Sequence, residues 1–292
     1  MTHRRSDRSV VAFLLTLVWS GCSQQDAPTL QEIKQAGVVR IGYNNEVPFA
    51  YYDTVTRQVT GEAPEVARHI LRQMGVSTTE GILTEFGALI PGLNARRFDI
   101  IASGMYVTPM RCRQISFSEP ISCMGQCFLV RSGNPLALHS YADAGQHKAA
   151  RVGIVSGGIE LQYARAAGIP EDRIAIFPDP PSAFAGLQAG RVDAMGGPLP
   201  SLQTLLGQAN DAQIELAQPF EEPVISGKAL KLCEAVGFRN EDVEFRAEFN
   251  DRLKTFLGSK EHLDMIRPFG FKESDIPVGV TTEELCRPWS IP

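Results

Sequence analysis

Segments with the pattern of β-strands alternate with segments of helical periodicity along most of this chain. The stretch that opens at Gly61 is an example, because its apolar residues recur at helical spacing until Gly75. Such alternation is typical of an α/β fold with largely parallel sheets flanked by helices. The strand-like runs are Val38–Gly42, Asp99–Ala102, Gln126–Arg131, Arg151–Val155, Ile174–Phe177, Val192–Met195, Ile214–Ala217 and Ala229–Cys233. The other predicted helices are Thr29–Gly37, Phe86–Arg97, Glu160–Ala167, Ser182–Ala189, Leu199–Gln208, Asp242–Leu257 and Lys260–Arg267.

The order of these segments predicts two lobes. A length of 292 residues exceeds one ordinary core, which holds about 100–200 residues. We expect residues 28–131 plus 226–292 to form lobe 1 and residues 132–225 to form lobe 2. Two hinge strands would join the lobes, and the cleft between them is a natural ligand site.

Composition excludes several classes of protein. With 43% hydrophobic and 21% charged residues, the chain is ordinary for a globular protein. The net charge of −5, without basic runs, argues against nucleic-acid binding. No apolar stretch reaches the ~18 residues that a membrane-spanning helix needs.

The N-terminus has the pattern of a secretory signal over residues 1–21. Three arginines precede an apolar run from Ser9 to Trp19, and small residues follow. The alternative is an amphipathic first helix, which the all-round apolar character of the run disfavours. Ser20, Gly21 and Cys22 also resemble a lipoprotein cleavage box, although Trp19 stands where that box usually has leucine. We therefore expect an exported protein, in the periplasm or on the outer face of the cytoplasmic membrane, with lipid anchoring at Cys22 left open.

Export permits disulfide bonds. Beyond Cys22 the chain has five cysteines, an odd number that leaves at least one thiol free or paired outside the chain. Cys233 with Cys286 and Cys112 with Cys123 are two conceivable pairs, and burial as free thiols is the alternative for each. No cysteine or histidine spacing typical of zinc occurs, so we expect no metal and no cofactor.

Several motifs, taken in order, resemble the extracytoplasmic solute-binding proteins of polar amino-acid ABC importers. They are residues 37–42 (GVVRIG), 48–53 (PFAYYD), 61–67 (GEAPEVA), 97–99 (RFD), 117–120 (FSEP) with Arg111, and 237–239 (GFR). The resemblance runs over residues 29–287 and implies a two-lobed fold of the periplasmic-binding-protein type (type II). Within the family the chain is most similar to ectoine- and hydroxyectoine-binding proteins. Residues 45–49 (NEVPF), 85–93 (EFGALIPGL), 104–112 (GMYVTPMRC) and 281–286 (TTEELC) carry that likeness.

The resemblance assigns two charged residues to the ligand. Arg111 would hold the ligand carboxylate, since a guanidinium pairs a carboxylate bidentately. The alternative is a surface arginine that is salt-bridged to a neighbour, and we expect Arg113, two residues on, to be the solvated one. Glu46 would accept N–H bonds from the ligand cation. Pro198 stands where importers of ordinary amino acids usually carry an aspartate for the α-ammonium group, and ectoine-type proteins also resemble this chain in having proline there.

Three aromatic residues correspond to a cage around a cationic ligand. Phe49, Phe86 and Tyr106 would each attract such a ligand by roughly 0.5–2 kcal/mol. Core filling is the alternative for each, and it is least expected for Phe49, which follows Pro48 in a loop. Phe86 and Tyr106 differ in identity from the aromatics usual in the subfamily, which changes where a hydroxyl lies.

The turn at residues 156–160 (SGGIE) should present backbone N–H groups to the ligand carboxylate from lobe 2. Gly158 and Ile159 are the contacts predicted there, and Ile159 replaces the threonine usual in the family. The expected mechanism is capture on lobe 1 followed by closure of lobe 2.

The function predicted is therefore that of a monomeric receptor for a small zwitterionic ligand, which it would deliver to the membrane permease subunits of an ABC importer. A polar amino-acid-binding protein of the same family is the first alternative. The second is a periplasmic dehydratase of prephenate-type acids on the same fold. That enzyme would need a positioned acid or base, and Glu46 is the single obvious candidate in the cleft. We expect no catalytic residues.

Overall fold

A computed structural model describes Met1 and residues 29–225, 228–229 and 232–288. Apart from Met1, the predicted signal segment and Cys22 lie outside these described residues. Within them, no helix is both long and apolar enough to cross a membrane.

The secondary structure is α/β, as expected. The strands are β1 (Val38–Tyr43), β2 (Tyr51–Asp53), β3 (Gln58–Thr60), β4 (Thr78–Leu83), β5 (Ile100–Ile101), β6 (Ser116–Phe117), β7 (Ser122–Cys123), β8 (Gln126–Arg131), β9 (Val152–Val155), β10 (Ile174–Phe177), β11 (Ala194–Pro198), β12 (Ile214–Leu216), β13 (Val224–Ile225), β14 (Lys228–Ala229), β15 (Cys233–Glu234) and β16 (Gly237–Phe238).

The α-helices are α1 (Thr29–Ala36), α2 (Glu62–Gln73), α3 (Leu89–Asn94), α4 (Pro109–Cys112), α5 (Tyr141–Gln146), α6 (Glu160–Ala166), α7 (Pro180–Gln188), α8 (Leu199–Ala209), α9 (Val243–Phe256), α10 (Lys260–Ile266) and α11 (Thr282–Leu285). Short 3₁₀ turns cover Phe86–Ala88, Glu171–Arg173, Arg267–Phe269 and Glu273–Asp275. The helix predicted over residues 86–97 is thus a 3₁₀ turn followed by α3.

Each lobe is built on a five-stranded mixed sheet. The first sheet has the order β4-β1-β5-β16-β6, in which β1 is parallel to β4 and β5, and β16 is antiparallel to β5 and β6. The second has the order β10-β9-β11-β8-β12, with β9 parallel to β10 and β11, and β8 antiparallel to β11 and β12. Loops that follow the carboxyl ends of β1, β5, β9 and β11 meet between the lobes, where ligands of open α/β sheets bind.

The predicted boundary between the lobes after residue 131 is wrong. Strand β8, which we assigned to lobe 1, lies between β11 and β12 of the second sheet. Five of its six residues are buried, so it needs a strand on each edge and cover on each face. The chain therefore leaves lobe 1 at β7, and it returns at β15, which pairs antiparallel with β7.

Helix α2 packs the core of the first lobe as its periodicity predicts. Val66, Ile70 and Leu71 are fully buried against a cluster that includes Phe249 and Leu253 of α9. The helix stops at Gly75, whose φ of 87° lies in the left-handed region that glycine adopts without strain. Burying three such side chains contributes about 1.5–3 kcal/mol each to the free energy of folding.

Neither disulfide pair considered from the sequence forms. The structure joins Cys112 to Cys286 and Cys123 to Cys233. The register of β15 on β7 places Cys233 directly opposite Cys123, and a bond from Thr282 Oγ1 to the Ser118 carbonyl holds α11 against the segment after β6. Cys127 is free and buried, which confirms that one thiol of the odd set stays unpaired.

Candidate functional site

One cavity between the lobes brings together all eight residues predicted to bind ligand. Its lining includes Glu46, Phe49, Phe86, Tyr106, Arg111, Gly158, Ile159 and Pro198. The first five come from lobe 1, and the last three from lobe 2. The lining also includes residues that the sequence analysis did not nominate, chiefly Glu160 and Ser201.

Arg111 lies on the short helix α4, which Thr108 caps by accepting a bond from the Arg111 backbone N–H at 3.3 Å. Its guanidinium is buried and donates to the Tyr106 carbonyl at 2.8 Å and to the Gly157 carbonyl at 3.0 Å. The guanidinium carbon also lies 5.2 Å from the centre of the Phe86 ring. Burial lowers the pKa of Arg111 to about 10, so the group remains cationic at neutral pH.

No ion pair joins Arg111 to a carboxylate within the described residues. A guanidinium has five N–H donors, and the two carbonyl bonds leave others for a ligand. The neighbouring Arg113 is exposed, as expected. Arg111 is thus a buried cation with donors directed to a cavity, which suits a carboxylate.

Glu46 lies in the tight loop after β1, where its backbone exchanges two hydrogen bonds with Ala50 at 2.8 and 3.0 Å. A cis peptide bond precedes Pro48 in this loop. The Glu46 carboxylate accepts a bond from Asn44 Nδ2 at 2.9 Å, and Ser201 of the opposite lobe lies close enough to interact with it. Burial raises the pKa of Glu46, and the interactions with Asn44 and Ser201 partly offset that rise.

The three aromatic residues line the cavity and also fill core. Phe49 is 1% exposed and meets Phe271 edge to face, with ring centres 5.8 Å apart. Its ring lies so close to Gly104 that a Cβ there would come within 2.6 Å, and Gly104 has a φ of 68°. Tyr106 is 3% exposed and packs into the cluster of the second lobe. In this closed arrangement the same three aromatics line the cavity and pack against the hydrophobic cores.

Two glycines make the lobes touch beside Phe86. Gly87 lies in the 3₁₀ turn of the first lobe, and Gly157 lies in the turn after β9 with a φ of 78°. A Cβ on Gly157 would come within 2.5 Å of the Gly87 Cα atom. Gly157 therefore has no room for a side chain in this closed arrangement, whereas a Cβ on Gly87 would lie 3.3 Å from Ser156 Oγ.

Glu160 is the main site residue that the sequence analysis missed. It begins α6, is 5% exposed, and folds back so that a Cβ on Gly158 would come within 2.2 Å of its Oε2 atom. Burial raises the pKa of Glu160 to about 7, and the charge of Glu46 adds to the rise. The turn that we expected to offer bare N–H groups thus also carries a buried carboxyl.

Pro198 ends β11 and precedes α8, so it offers no side-chain acceptor to the cavity. Ser201, in the first turn of α8, is 3% exposed and interacts with Glu46. The sequence offers no signal for Ser201, because a serine in the first turn of a helix is common and does not by itself indicate a binding site. Within the described residues, no group of three His, Cys, Asp or Glu is placed to hold a metal ion.

The site therefore combines a cation, two buried carboxyls and three aromatic faces in a cavity that closes between lobes. Such an arrangement binds a small molecule that carries both charges and excludes water from it.

Comparisons with known proteins identify the family. The family model of bacterial extracellular solute-binding proteins, family 3, matches residues 39–280. A probable amino-acid ABC transporter periplasmic-binding protein of Sinorhizobium fredii, y4tE, is 34% identical over 264 residues, which is 89% of this chain and 86% of that one.

Two solved structures are also similar. The crystal structure of EhuB in complex with hydroxyectoine has a TM-score of 0.81 and 36% identity, covering 88% of this chain and 97% of that one. The ancestral amino acid-binding protein AncCDT-1, a precursor of cyclohexadienyl dehydratase, has a TM-score of 0.69 and 25% identity, covering 82% of this chain and 98% of that one. With the family model spanning most of its length, this chain belongs to the bacterial extracellular solute-binding proteins, family 3.

Proposed function

We propose that this protein is the solute-binding receptor of an ABC importer and that it captures a compatible solute of the ectoine or hydroxyectoine type. The observation that carries the proposal is the cavity shared by Arg111, Glu46 and the three aromatics. The likeness to a hydroxyectoine complex at 36% identity supports the ligand class. The ABC transporter relative of Sinorhizobium fredii supports the transport role.

Ectoine suits the charges of the cavity. Its carboxylate would take the remaining donors of Arg111, and its cationic ring would lie between the aromatic faces. A delocalised, weakly hydrated cation gains most from aromatic faces once it is desolvated, by roughly 0.5–2 kcal/mol for each ring. Glu46 would accept the ring N–H bonds with charge assistance.

A conventional α-amino acid fits the cavity less well. Its ammonium group needs several acceptors, and Pro198 supplies no side-chain oxygen at the position where amino-acid importers usually have an aspartate. Glu160 is the other acidic group on that lobe, and its raised pKa reduces its charge at neutral pH. A neutral carboxyl is a weaker partner for an ammonium ion.

Capture would proceed by closure of the second lobe over ligand held on the first. A hydrogen bond from Arg111 to Gly157 crosses the cleft when the lobes are closed, and Ser201 interacts with Glu46 across it. Both involve a residue that we assign to the ligand. Ligand binding and lobe closure would therefore stabilise one another, within the limit set by the ligand's differential affinity for the two states.

We propose that the closed form then docks on the permease subunits, as a monomer, at the outer face of the cytoplasmic membrane. Whether Cys22 carries a lipid decides only how the receptor is retained there. Metabolic labelling with a fatty acid, in the wild type and in Cys22→Ala, distinguishes an anchored receptor from a free one.

Isothermal titration calorimetry of residues 23–292, freed of bound ligand by unfolding and refolding, tests the ligand. We expect micromolar or tighter binding of ectoine or hydroxyectoine, and weaker or no binding of glycine betaine, proline and polar L-amino acids. Binding of an L-amino acid alone would keep the receptor role and reject the ligand. Turnover of prephenate in a coupled assay would reject the receptor role in favour of an enzyme.

A further inference from the structure

Two carboxyl groups meet behind the cleft, outside the cavity lining. Glu62 is the first residue of α2, and Glu234 lies on the returning hinge strand β15. Neither side chain has any exposed surface. The two carboxyl groups lie close enough to interact directly with each other.

The surroundings of this pair offer few donors. Ser122, on the other hinge strand, donates to Glu234 Oε1 at 2.7 Å. Within the described residues, Glu234 Oε2 and both oxygens of Glu62 have no hydrogen-bond partner, and no ion pair links either group to a cation. The further charged groups that face the pair are Asp275 beside Glu62 and Glu46 beside Glu234, and both are acidic.

Two ionised carboxylates cannot remain in contact without water or a cation. The pair must therefore hold one proton between its two carboxyls, and it titrates as a unit. Burial is the largest cause that raises both pKa values, and it raises that of Glu234 to about 7. In an unfolded chain both carboxyl groups would already have lost their protons at a pH well below 7.

The same two residues support opposite sides of the aromatic cage through their backbones. The Glu62 N–H donates to the Pro48 carbonyl at 3.0 Å, and the next N–H donates to the Phe49 carbonyl at 3.2 Å. The backbone of Glu234 forms a β-bridge with Tyr106. Separation of the two carboxyl groups would therefore shift the backbone that positions Phe49 and Tyr106.

We propose that the Glu62–Glu234 pair is a proton-dependent brace that holds the cage and the hinge strand together, so that loss of its shared proton weakens ligand binding. The proposal rests on the ligand site proposed above. Because both pKa values are raised, the folded chain binds more protons than the unfolded chain, and stability falls as pH rises. The closed, ligand-bound form would lose affinity over the same alkaline range.

The first test follows thermal unfolding of the ligand-free chain between pH 5 and pH 9. Glu62→Gln keeps the shape of the side chain and supplies a fixed N–H donor in place of the shared proton. We expect the midpoint of wild type to fall with pH and that of Glu62→Gln to fall distinctly less. Glu80→Gln, at an exposed position on β4, is the matched control and should follow the wild type.

The second test measures Kd over the same range, with whichever of ectoine, hydroxyectoine and L-arginine the wild type binds at pH 6. A single linked proton changes Kd by up to about tenfold per pH unit, so we expect the wild-type Kd to rise about tenfold or more by pH 9. The pKa values of Glu46 and Glu160 are raised as well, so the decisive result is a flatter Kd profile in Glu62→Gln than in Glu80→Gln.

Ser122→Ala gives a readout that a purely structural role would not produce. The Ser122 bond favours ionised Glu234, so its removal should move the fall in affinity to higher pH instead of abolishing it. Identical pH profiles in wild type and Glu62→Gln would overturn the shared proton. A flattened unfolding profile with an unchanged binding profile would overturn the link to the cage. If the protein binds L-arginine and not ectoine, the proposed ligand is rejected, and both tests of the brace can still be carried out with L-arginine.

Discussion

The guanidinium of Arg111 in the first lobe donates a hydrogen bond to the Gly157 carbonyl of the second lobe at 3.0 Å. The residue that we assign to the ligand carboxylate is therefore also one that holds the lobes together. Ser201 and Glu46 repeat this arrangement at another place in the cavity. On this assignment the same side chains serve ligand recognition and lobe closure, so substitution of Arg111 or Glu46 should alter affinity through both effects.

Arg111→Ala should raise the Kd for ectoine strongly. The change removes the buried partner of the ligand carboxylate, which costs about 2–5 kcal/mol of binding free energy. Arg111→Lys keeps the charge without the planar fork and should lie between Arg111→Ala and wild type. Calorimetric titration measures the Kd of wild type, Arg111→Ala and Arg111→Lys, and Arg113→Ala is the control at an exposed position. Wild-type affinity in Arg111→Ala would remove this residue from the site.

Glu160→Gln should stabilise the protein above neutral pH and change little near pH 5. The pKa of Glu160 is raised to about 7, so the folded chain binds a proton there that the unfolded chain releases near pH 4–5. Its ionisation on raising the pH to 8 costs on the order of 3 kcal/mol of folding free energy.

Urea unfolding at pH 5 and at pH 8 measures this difference. Glu171→Gln is the control, since Glu171 is an exposed acid of the same lobe. An equal effect of Glu160→Gln at both pH values would contradict the titration and leave only a difference in packing.

Local sequence pattern predicted much of the fold because burial acts on single elements. The α2 face of Val66, Ile70 and Leu71 is buried as its spacing requires, and strand Ile174–Phe177 occupies the residues predicted for it. The position of β8 was wrong because the choice of sheet depends on β11 and β12, which follow more than 60 residues later. The disulfides were wrong for the same reason, since β15 and α11 return from 110 and 174 residues away.

The site was predicted in part for a physical reason. Residues at the ends of parallel strands converge on one edge of a sheet, so Glu46 and Arg111 were placed together by topology and motif. Glu160 was missed because an acid in the first turn of a helix is usually solvated and favoured by the helix dipole. Its surroundings include Glu46 and Arg111 of the opposite lobe, which no local pattern contains. The Glu62–Glu234 contact has the same origin, because it joins residues 172 positions apart.

Tyr106→Phe should separate hydroxyectoine from ectoine. The Tyr106 hydroxyl is buried and has no hydrogen-bond partner within the described residues. The residue lines the cavity, so the hydroxyl is available to the extra oxygen of hydroxyectoine. Loss of one such bond costs about 0.5–1.5 kcal/mol, so the Kd for hydroxyectoine should rise severalfold while that for ectoine changes little.

Competition calorimetry with both ligands measures the ratio of the two affinities. Tyr141→Phe is the matched control, because its hydroxyl is also buried and unpartnered in the described structure but does not line the cavity. Equal losses for both ligands in Tyr106→Phe would show that the hydroxyl acts on the cage and not on the ligand oxygen.

The two disulfides should have different effects on binding. Cys112–Cys286 closes a loop of 174 residues and ties the C-terminal segment to α4, whose start is also fixed by Thr108. Replacing both of its cysteines with serine should cost about 2–5 kcal/mol of stability with little change in the Kd for ectoine.

Cys123–Cys233 instead joins the two hinge strands next to Glu234. Its double serine variant should lose comparable stability and also bind ectoine more weakly, because β15 supports Tyr106 through the bridge to Glu234. Urea unfolding and titration of both double variants provide the comparison. A larger loss of affinity in the Cys112→Ser, Cys286→Ser variant would place the mechanical control of the site at α4 and not at the hinge.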